Sequence, residues 1–287
     1  MGNHLVTSRD WPAPAKLNLF LHVIGRRADG YHLLQTIFQF VDYCDLIDFV
    51  VRADGQLARQ ANYADIAADA DLVMRAAAVL KRESGCRLGA EITVHKRLPM
   101  GGGLGGGSSD AATTLVALNR LWGVNLAVKE LAQIGLRLGA DVPVFIHGHA
   151  AWAEGVGEII TPVTPEECWY LIIHPGIRVP TAEIFGSADL TRTTPVTTIR
   201  DFPASGGHND CEPVVRKRYP AVAEALDWLS RHGQARMTGT GSCIFAAFKD
   251  REQAARVNSM APGKWRGYIA RGLNQSPLLQ RLAQEIN

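Results

Sequence analysis

The residues best equipped for chemistry lie between Leu98 and Leu115, LPMGGGLGGGSSDAATTL, where six glycines fall within seven positions and are followed by Ser108, Ser109 and Asp110. A chain surrenders that much backbone entropy only where side chains would be in the way. The serines suit N-cap positions, and the Ala, Thr and Leu after them can continue a helix. Bare N–H groups and the positive end of a helix make a cradle for an anion, with phosphate the usual occupant.

Other polar groups say less on their own. Lys16 and Asn18 share one face of an alternating stretch, residues 13–24, opposite Ala15, Leu17, Leu19, Leu21 and Val23. By pattern alone they decorate a strand edge. Asp141 stands in Gly139-Ala-Asp-Val-Pro143, a break where an aspartate commonly serves a turn or a cap. His147-Gly-His149 looks superficially like a metal pair but has no third ligand at useful spacing.

The elements that must position these groups follow from periodicity and punctuation. Residues 13–24 read as a strand, Asp29-Gly30 as a turn, then a second strand runs through Phe40 and a third covers 41–51. Residues 54–63 read as a surface connection, a helix starts at Asp69 or Asp71 and ends near Gly85, and 88–97 form a strand leading into the glycines. The helix after the loop runs to about Trp122, Asn125 caps another, 142–146 are β-like and 150–160 form a hairpin. Trp169–His174 is a strand, Thr181–Ser187 a short helix, and 189–210 an irregular connection. Helix 220–232, strands 235–238 and 243–248, helix 250–259 and strand 265–271 then suit a small α+β layer.

Composition narrows the class. Apolar residues make up 47% and charged residues 20% of 287, ordinary for a globular protein, and a net charge of +2 without a basic block argues against a nucleic-acid partner. Five dispersed cysteines without a CxxC pair favour a reduced, cytoplasmic protein with neither a disulfide frame nor a zinc site. No run approaches the roughly 18 apolar residues of a membrane span. Residues 1–14 read as neither a signal peptide nor a myristoylation site, since Val stands at position 6.

The details of the loop eliminate most of its claimants. No lysine follows the glycines, so this is not a Walker P-loop. Gly101-x-Gly103-x-x-Gly106 matches the dinucleotide pattern only weakly, because the first carboxylate after Asp110 is Glu130 and the ribose-binding acid is missing. Protein-kinase signatures are absent too. A flexible linker is disfavoured because the glycines are pinned between a strand and a helix start.

Pro99–Ser109, PMGGGLGGGSS, resembles the second signature of the GHMP small-molecule kinases; Met237–Cys243, MTGTGSC, resembles the third and Pro14–Leu19, PAKLNL, the first. Arg27–His32 (RADGYH), Leu138–Phe145 (LGADVPVF) and Ala153–Glu158 (AEGVGE) narrow the resemblance to the branch acting on 4-diphosphocytidyl-2-C-methyl-D-erythritol. Six motifs in order, from Pro12 to about Pro277, make the match specific. It implies an α+β fold of two domains, an ATP-binding domain over 1–160 and a second over 161–287, with the active-site cleft between them. It also implies a kinase that moves the γ-phosphate of ATP, with Mg²⁺, to the tertiary C2 hydroxyl of that small-molecule substrate. A monomer or weak homodimer is expected, with no membrane partner.

Residue roles carry over on the matching positions. Asp141 is the base for a poorly nucleophilic alcohol, and Lys16 offsets charge developing on the phosphoryl group. Pro99, Gly101, Gly102, Gly103, Leu104, Gly105, Gly106, Gly107, Ser108 and Ser109 hold nucleotide, with Lys96 just before them in reach of it. One serine is a candidate magnesium ligand, and Asp110 either complements the helix dipole or reaches the metal. Tyr31 and Phe185 resemble the residues that stack on cytosine and His32 the one that recognises it; Asn18, Thr181, Gly239 and Thr240 complete the substrate side. Homoserine and mevalonate kinases, a non-catalytic nucleotide-sensing relative and a dinucleotide oxidoreductase are the competing readings. The RADGYH segment, the presence of both Asp141 and Lys16, and the missing acid count against them in turn.

Overall fold

A computed structural model describes residues 4–60, 71–201 and 207–285. It is built around two long antiparallel strands, β1 (His4–Arg26) and β2 (His32–Arg52), joined by a tight turn in which Gly30 takes φ +90°. The two strands expected between His32 and Val51 are therefore one. Polar Gln35, Gln39 and Asp45 interrupt its apolar run, but all three are buried and hydrogen-bonded, so the strand does not break. Register shifts near Asp10, Pro14 and Leu19 let the pair bend over two cores.

After β3 (Leu57–Arg59) comes helix α1 (Leu72–Ser84), capped by the Asp71 carboxylate accepting from Val73 N–H and closed by left-handed Gly85. Asp69, the alternative start, lies outside the described residues. β4 (Gly89–His95) pairs with β2 and leads to the glycine loop; α2 (Gly106–Leu121), α3 (Val128–Leu136) and α4 (Val142–His147) follow. Two expectations fail here. Asn125 sits at φ +58° and does not cap α3, whose N-terminus is Ala127 with Glu130 reaching back to its N–H. The β-like 142–146 is helical: Pro143 falls in the first turn, where its missing N–H costs nothing, and Val142, Val144, Phe145 and Ile146 are all buried.

The hairpin β5 (Ala151–Glu154) and β6 (Ile159–Pro162) adds to β2, and β7 (Trp169–His174) precedes α5 (Thr181–Phe185). Residues 189–201 and 207–210 are irregular, with 202–206 outside the described residues. The remainder is α6 (Glu212–Arg218), α7 (Pro220–Ser230), β8 (Arg236–Met237), β9 (Ile244–Phe248), α8 (Arg251–Ser259), β10 (Arg266–Leu273) and α9 (Pro277–Gln284). Sequence reading missed β3, α6 and α9, the last two being only 7 and 8 residues long. The described strands form one sheet in the order β3-β4-β2-β10-β7-β9-β8, with β1 and β5 pairing on β2.

Three apolar cores hold this together. Trp11, Phe40, Phe49, Leu115 and Phe145 fill one between the β1/β2/β4 face and α1–α4, and α9 returns to it through Leu278. Leu171, Val215, Leu226 and Ile244 fill a second under α6, α7 and α8. The third, with Leu17, Leu98, Ile172 and Phe245, receives Leu104, the one side chain within the glycine run. Burying it contributes about 2 kcal/mol and pins the middle of the loop. On either side of that anchor the backbone passes too close for side chains. A Cβ on Gly103 (φ +77°) would lie 2.2 Å from the Thr238 carbonyl oxygen, and one on Gly105 (φ +74°) 2.8 Å from the Phe145 ring. Gly103→Ala is therefore expected to cost at least about 2 kcal/mol, from the left-handed conformation and the displaced turn together, read as a lowered urea midpoint. Wild-type stability in that variant would contradict the packing described.

Candidate active site

The glycine loop forms one wall of a cavity of about 560 Å³. Pro99, Gly101, Gly102, Gly103, Leu104, Gly105, Gly106, Gly107 and Ser108 line it, with Asn18, Lys96, Asp110 and Asp141 from the same half of the chain. Thr181, Phe185, Gly239 and Thr240 come from the other half. Helix α2 begins within the glycines, after left-handed Gly105, and not at the serines. Neither serine is an N-cap, because the anchored loop turns helical three or four residues earlier, with Gly105 as the N-cap. Ser109 N–H already donates to Gly105 C=O, which leaves the N–H groups of Gly106, Gly107 and Ser108 without an intrahelical acceptor. These are the unpaired N–H groups of a helix start, placed at the glycines and not at the serines as expected. Ser108 is half-buried at the cavity, whereas Ser109 is fully buried and its Oγ has no hydrogen-bond partner among the described residues.

Lys16 is not edge decoration. The outer edge of β1 is covered by the loop, with Lys16 N–H donating to Leu104 C=O at 3.0 Å, and by Asn209, which bridges to Leu21. The Lys16 ammonium is buried and donates to Asn18 Oδ1 (2.5 Å) and Gly103 C=O (3.1 Å), and it lies 3.5 Å from Asp141 Oδ2. It also sits 5.3 Å from the centre of the Phe38 ring, a favourable face for a cation. Asp141 ends up here because α4 starts directly after it, and its side chain, 35% exposed, opens to the cavity. Asn18 is held by Thr36 Oγ1 at 2.9 Å, and its backbone N–H donates to Thr238 Oγ1 at 3.0 Å. The turn with Gly239 and Thr240 is fastened by Asn209, whose amide donates to Met237 and Gly239 carbonyls at 2.8 Å each. Sequence reasoning missed Asn209 and Thr36, since neither lies in a recognisable motif.

Lys96 lines the cavity but is already committed: its ammonium binds the Asp45 carboxylate and Asp110 Oδ2, the latter at 2.9 Å. Burial works against its charge, yet Asp110 and Asp45 hold its pKa above the ordinary value. Asp45, fully buried, also accepts from the N–H groups of Arg97 and Leu98. Asp110 therefore turns into this cluster. Burial drives its pKa up to about 7, opposed by Lys96 and assisted by repulsion from Asp45. Its Oδ1 is left without a partner among the described residues.

Among the residues expected to meet the substrate, Phe185 stacks on His32 with ring centres 5.0 Å apart and planes at 26°. Thr181 and Thr240 hydroxyls meet at 3.1 Å. Tyr31 is not brought to Phe185: it is 61% exposed and borders a neighbouring hollow that shares Ala140 and Val156 with the main cavity. His147 and His149 join no potential metal cluster among the described residues.

Residues 71–149 match the GHMP kinases N terminal domain and residues 199–266 the GHMP kinases C terminal domain. A 4-diphosphocytidyl-2-C-methyl-D-erythritol kinase of Alkalilimnicola ehrlichii is 56% identical over 278 residues, covering 97% of this chain and 96% of the relative. One of Nitrosococcus oceani is 57% identical over 272 residues, covering 95% and 97%. A crystal structure of 4-(cytidine 5'-diphospho)-2C-methyl-D-erythritol kinase superposes with a TM-score of 0.78 at 31% identity, covering 93% of this chain and 99% of that one. The chain belongs to the GHMP kinases, and within them to the family of the 4-diphosphocytidyl-2-C-methyl-D-erythritol kinases. A mevalonate kinase at 17% identity and TM-score 0.67 shares the fold alone. No helix among the described residues is long and apolar enough to cross a membrane.

The Lys96 cluster sets a pH dependence. The pKa of Asp110 is raised in the folded protein above the ordinary aspartate value of 3.8, so the native state binds more protons than the unfolded chain between about 4 and about 7. Its contribution to stability is full below that window and is lost as pH rises through it. Asp110→Asn, which keeps the neutral form at every pH, should gain on the wild type between pH 5 and pH 8 in paired urea titrations. A constant difference between the two proteins would remove the raised carboxyl.

Proposed function

We propose that this chain transfers the γ-phosphoryl group of ATP to the C2 hydroxyl of 4-diphosphocytidyl-2-C-methyl-D-erythritol, releasing ADP and the 2-phosphate. The observation that carries the reading is the Lys16–Asp141 contact of 3.5 Å, made by an ammonium that also grips the loop through Gly103. One side chain thus ties the phosphate cradle to a carboxylate open to the cavity.

In this reading the N–H groups of Gly106, Gly107 and Ser108, at the positive end of α2, hold the nucleotide phosphates. The tertiary hydroxyl attacks phosphorus, the bond to the ADP oxygen breaks, and Asp141 accepts the hydroxyl proton. Lys16 fixes Asp141 and lends positive charge to the transferring group, and Asn18 holds Lys16 in place. Mg²⁺ is a hard cation that takes oxygen ligands, and the donors at the cradle fit it: the Ser108 hydroxyl at the cavity and the phosphate oxygens themselves. When bound it neutralises phosphate charge. Phe185 presents the stacking face for the cytosine ring, His32 beside it is the group that recognises the base, Tyr31 borders the adjoining hollow, and Thr181, Gly239 and Thr240 line the path between base and phosphates.

The deciding measurement is ADP release with 4-diphosphocytidyl-2-C-methyl-D-erythritol against homoserine, mevalonate and free methylerythritol. Turnover should be confined to the first; efficient turnover of a control would refute the assignment. Asp141→Asn and Lys16→Ala should each lower kcat by about a hundredfold or more while nucleotide binding, followed by calorimetry, persists. Near-normal kcat in Asp141→Asn would remove it as the base.

A further inference from the structure

Arg192 lies in the irregular stretch to which sequence reading gave no role. Half-buried, it spends four hydrogen bonds in one place. Nη1 donates to Leu190 C=O (3.0 Å), and Nη2 donates to Phe185 C=O (2.9 Å) and Ser187 C=O (2.7 Å), which fixes the end of α5. Nε donates to His32 Nε2 at 3.0 Å. A guanidinium is charged at any working pH and has only donors to offer. The nitrogen it meets must therefore be the bare one. His32 is then held as the neutral ring with its proton on Nδ1, and no described residue partners that nitrogen. Burial, followed by the Arg192 and Arg26 charges, pushes the His32 pKa below the ordinary value, in keeping with a ring that stays uncharged.

We propose that Arg192 is a positioning residue that locks His32 as an Nδ1–H donor, so that the subsite beside Phe185 accepts cytosine, whose ring N3 is a bare acceptor, and turns away uracil, whose N3 carries a hydrogen. The uracil ring would set two donors against each other in a partly desolvated place, a mismatch that costs more than a missing contact. By the same four bonds Arg192 keeps Phe185 and His32 at stacking distance. The inference rests on the cytidine reading for its substrate, but the tautomer itself does not.

Two measurements separate these. In enzyme labelled with ¹⁵N-histidine, without substrate and with His32→Gln for assignment, His32 should show a protonated Nδ1 and an unprotonated Nε2. Arg192→Gln should bring in the Nε2–H form. With cytidine- and uridine-diphosphate forms of the methylerythritol, the kcat/KM preference for cytidine should fall roughly tenfold in Arg192→Gln, chiefly through KM. Arg192→Lys, which keeps the cation but has no planar fork, should behave likewise and serves if the glutamine variant is unstable. A protonated Nε2 in the wild type, or an unchanged preference in both variants, overturns the proposal. Turnover of neither nucleotide substrate overturns the substrate reading and with it the base preference, while the NMR still decides the tautomer.

Discussion

The site depends on one close approach of three backbones. The glycine loop lies against the outer edge of β1, through Lys16 N–H and Leu104 C=O, and against the Thr238–Gly241 turn, where a Gly103 side chain would collide with Thr238 C=O. Thr238 Oγ1 joins all three, accepting from Asn18 N–H and donating to Gly103 C=O at 3.3 Å. Because Asn18 and Lys16 leave β1 on the face that meets the loop, bringing the loop to the strand also brings the ammonium against the Gly103 carbonyl, beside the start of α2. Lys16 and Gly103 are 87 residues apart in the chain and Gly103 and Thr238 135, and only glycine permits such close approach. Leu104 acts as the opposite of its neighbours: one buried side chain fixes a segment that the glycines would leave loose.

Much of this was legible because particular residues carry unambiguous physics. Asp71 and Gly85 bracket α1 as cap and left-handed stop, and the continuous apolar run of Trp169–His174, ended by Pro175-Gly176, marks β7 to the residue. The site was readable where chemistry demands a run of unusual residues, as at Gly101–Gly107. It was unreadable where tertiary contacts override local pattern. Lys16 and Asn18 look like edge decoration because alternation records two faces and not what covers them; here the strand is buried on both. Segment 142–146 is apolar and β-branched, and only its packing against α2 and α3, with Pro143 in the first turn, makes it helical. Asn209 towards Met237, Asp45 towards Leu98 and Arg192 towards His32 act on partners 28 to 160 positions away, a distance at which a single sequence holds no pattern.

The polar groups that sequence reading missed share a function: each satisfies backbone groups that the loop and turns would otherwise leave bare. Asn209 supplies two donors to carbonyls of the third-motif turn, Asp45 accepts two N–H groups where β4 gives way to the loop, and Arg192 covers three carbonyls around the end of α5. Irregular backbone near a ligand site cannot pair within a ladder, and burying it unpaired is costly. Side chains with several donors or acceptors are the economical remedy. The site is therefore surrounded by polar residues whose work is structural, which is why polarity near a cavity does not by itself identify catalytic groups.

Burial separates the two kinds. Asp45 and Asp110, both buried, face one ammonium, Lys96, where two carboxylates share one cation and a proton is retained. The lysine of such a cluster is held by contacts it would have to break to follow a substrate. Asp141 is arranged in the opposite sense. Its cation is buried and anchored by Asn18 and Gly103, yet the carboxylate itself, 35% exposed, faces open space. A base must meet a hydroxyl proton at hydrogen-bond distance and be oriented beforehand, so the immobile partner belongs behind it and the free edge in front. Of the described carboxylates bordering the glycine loop, Asp141 alone combines a fixed cation with an open face, and that difference in solvent contact, more than its charge, is what supports it as the proposed base.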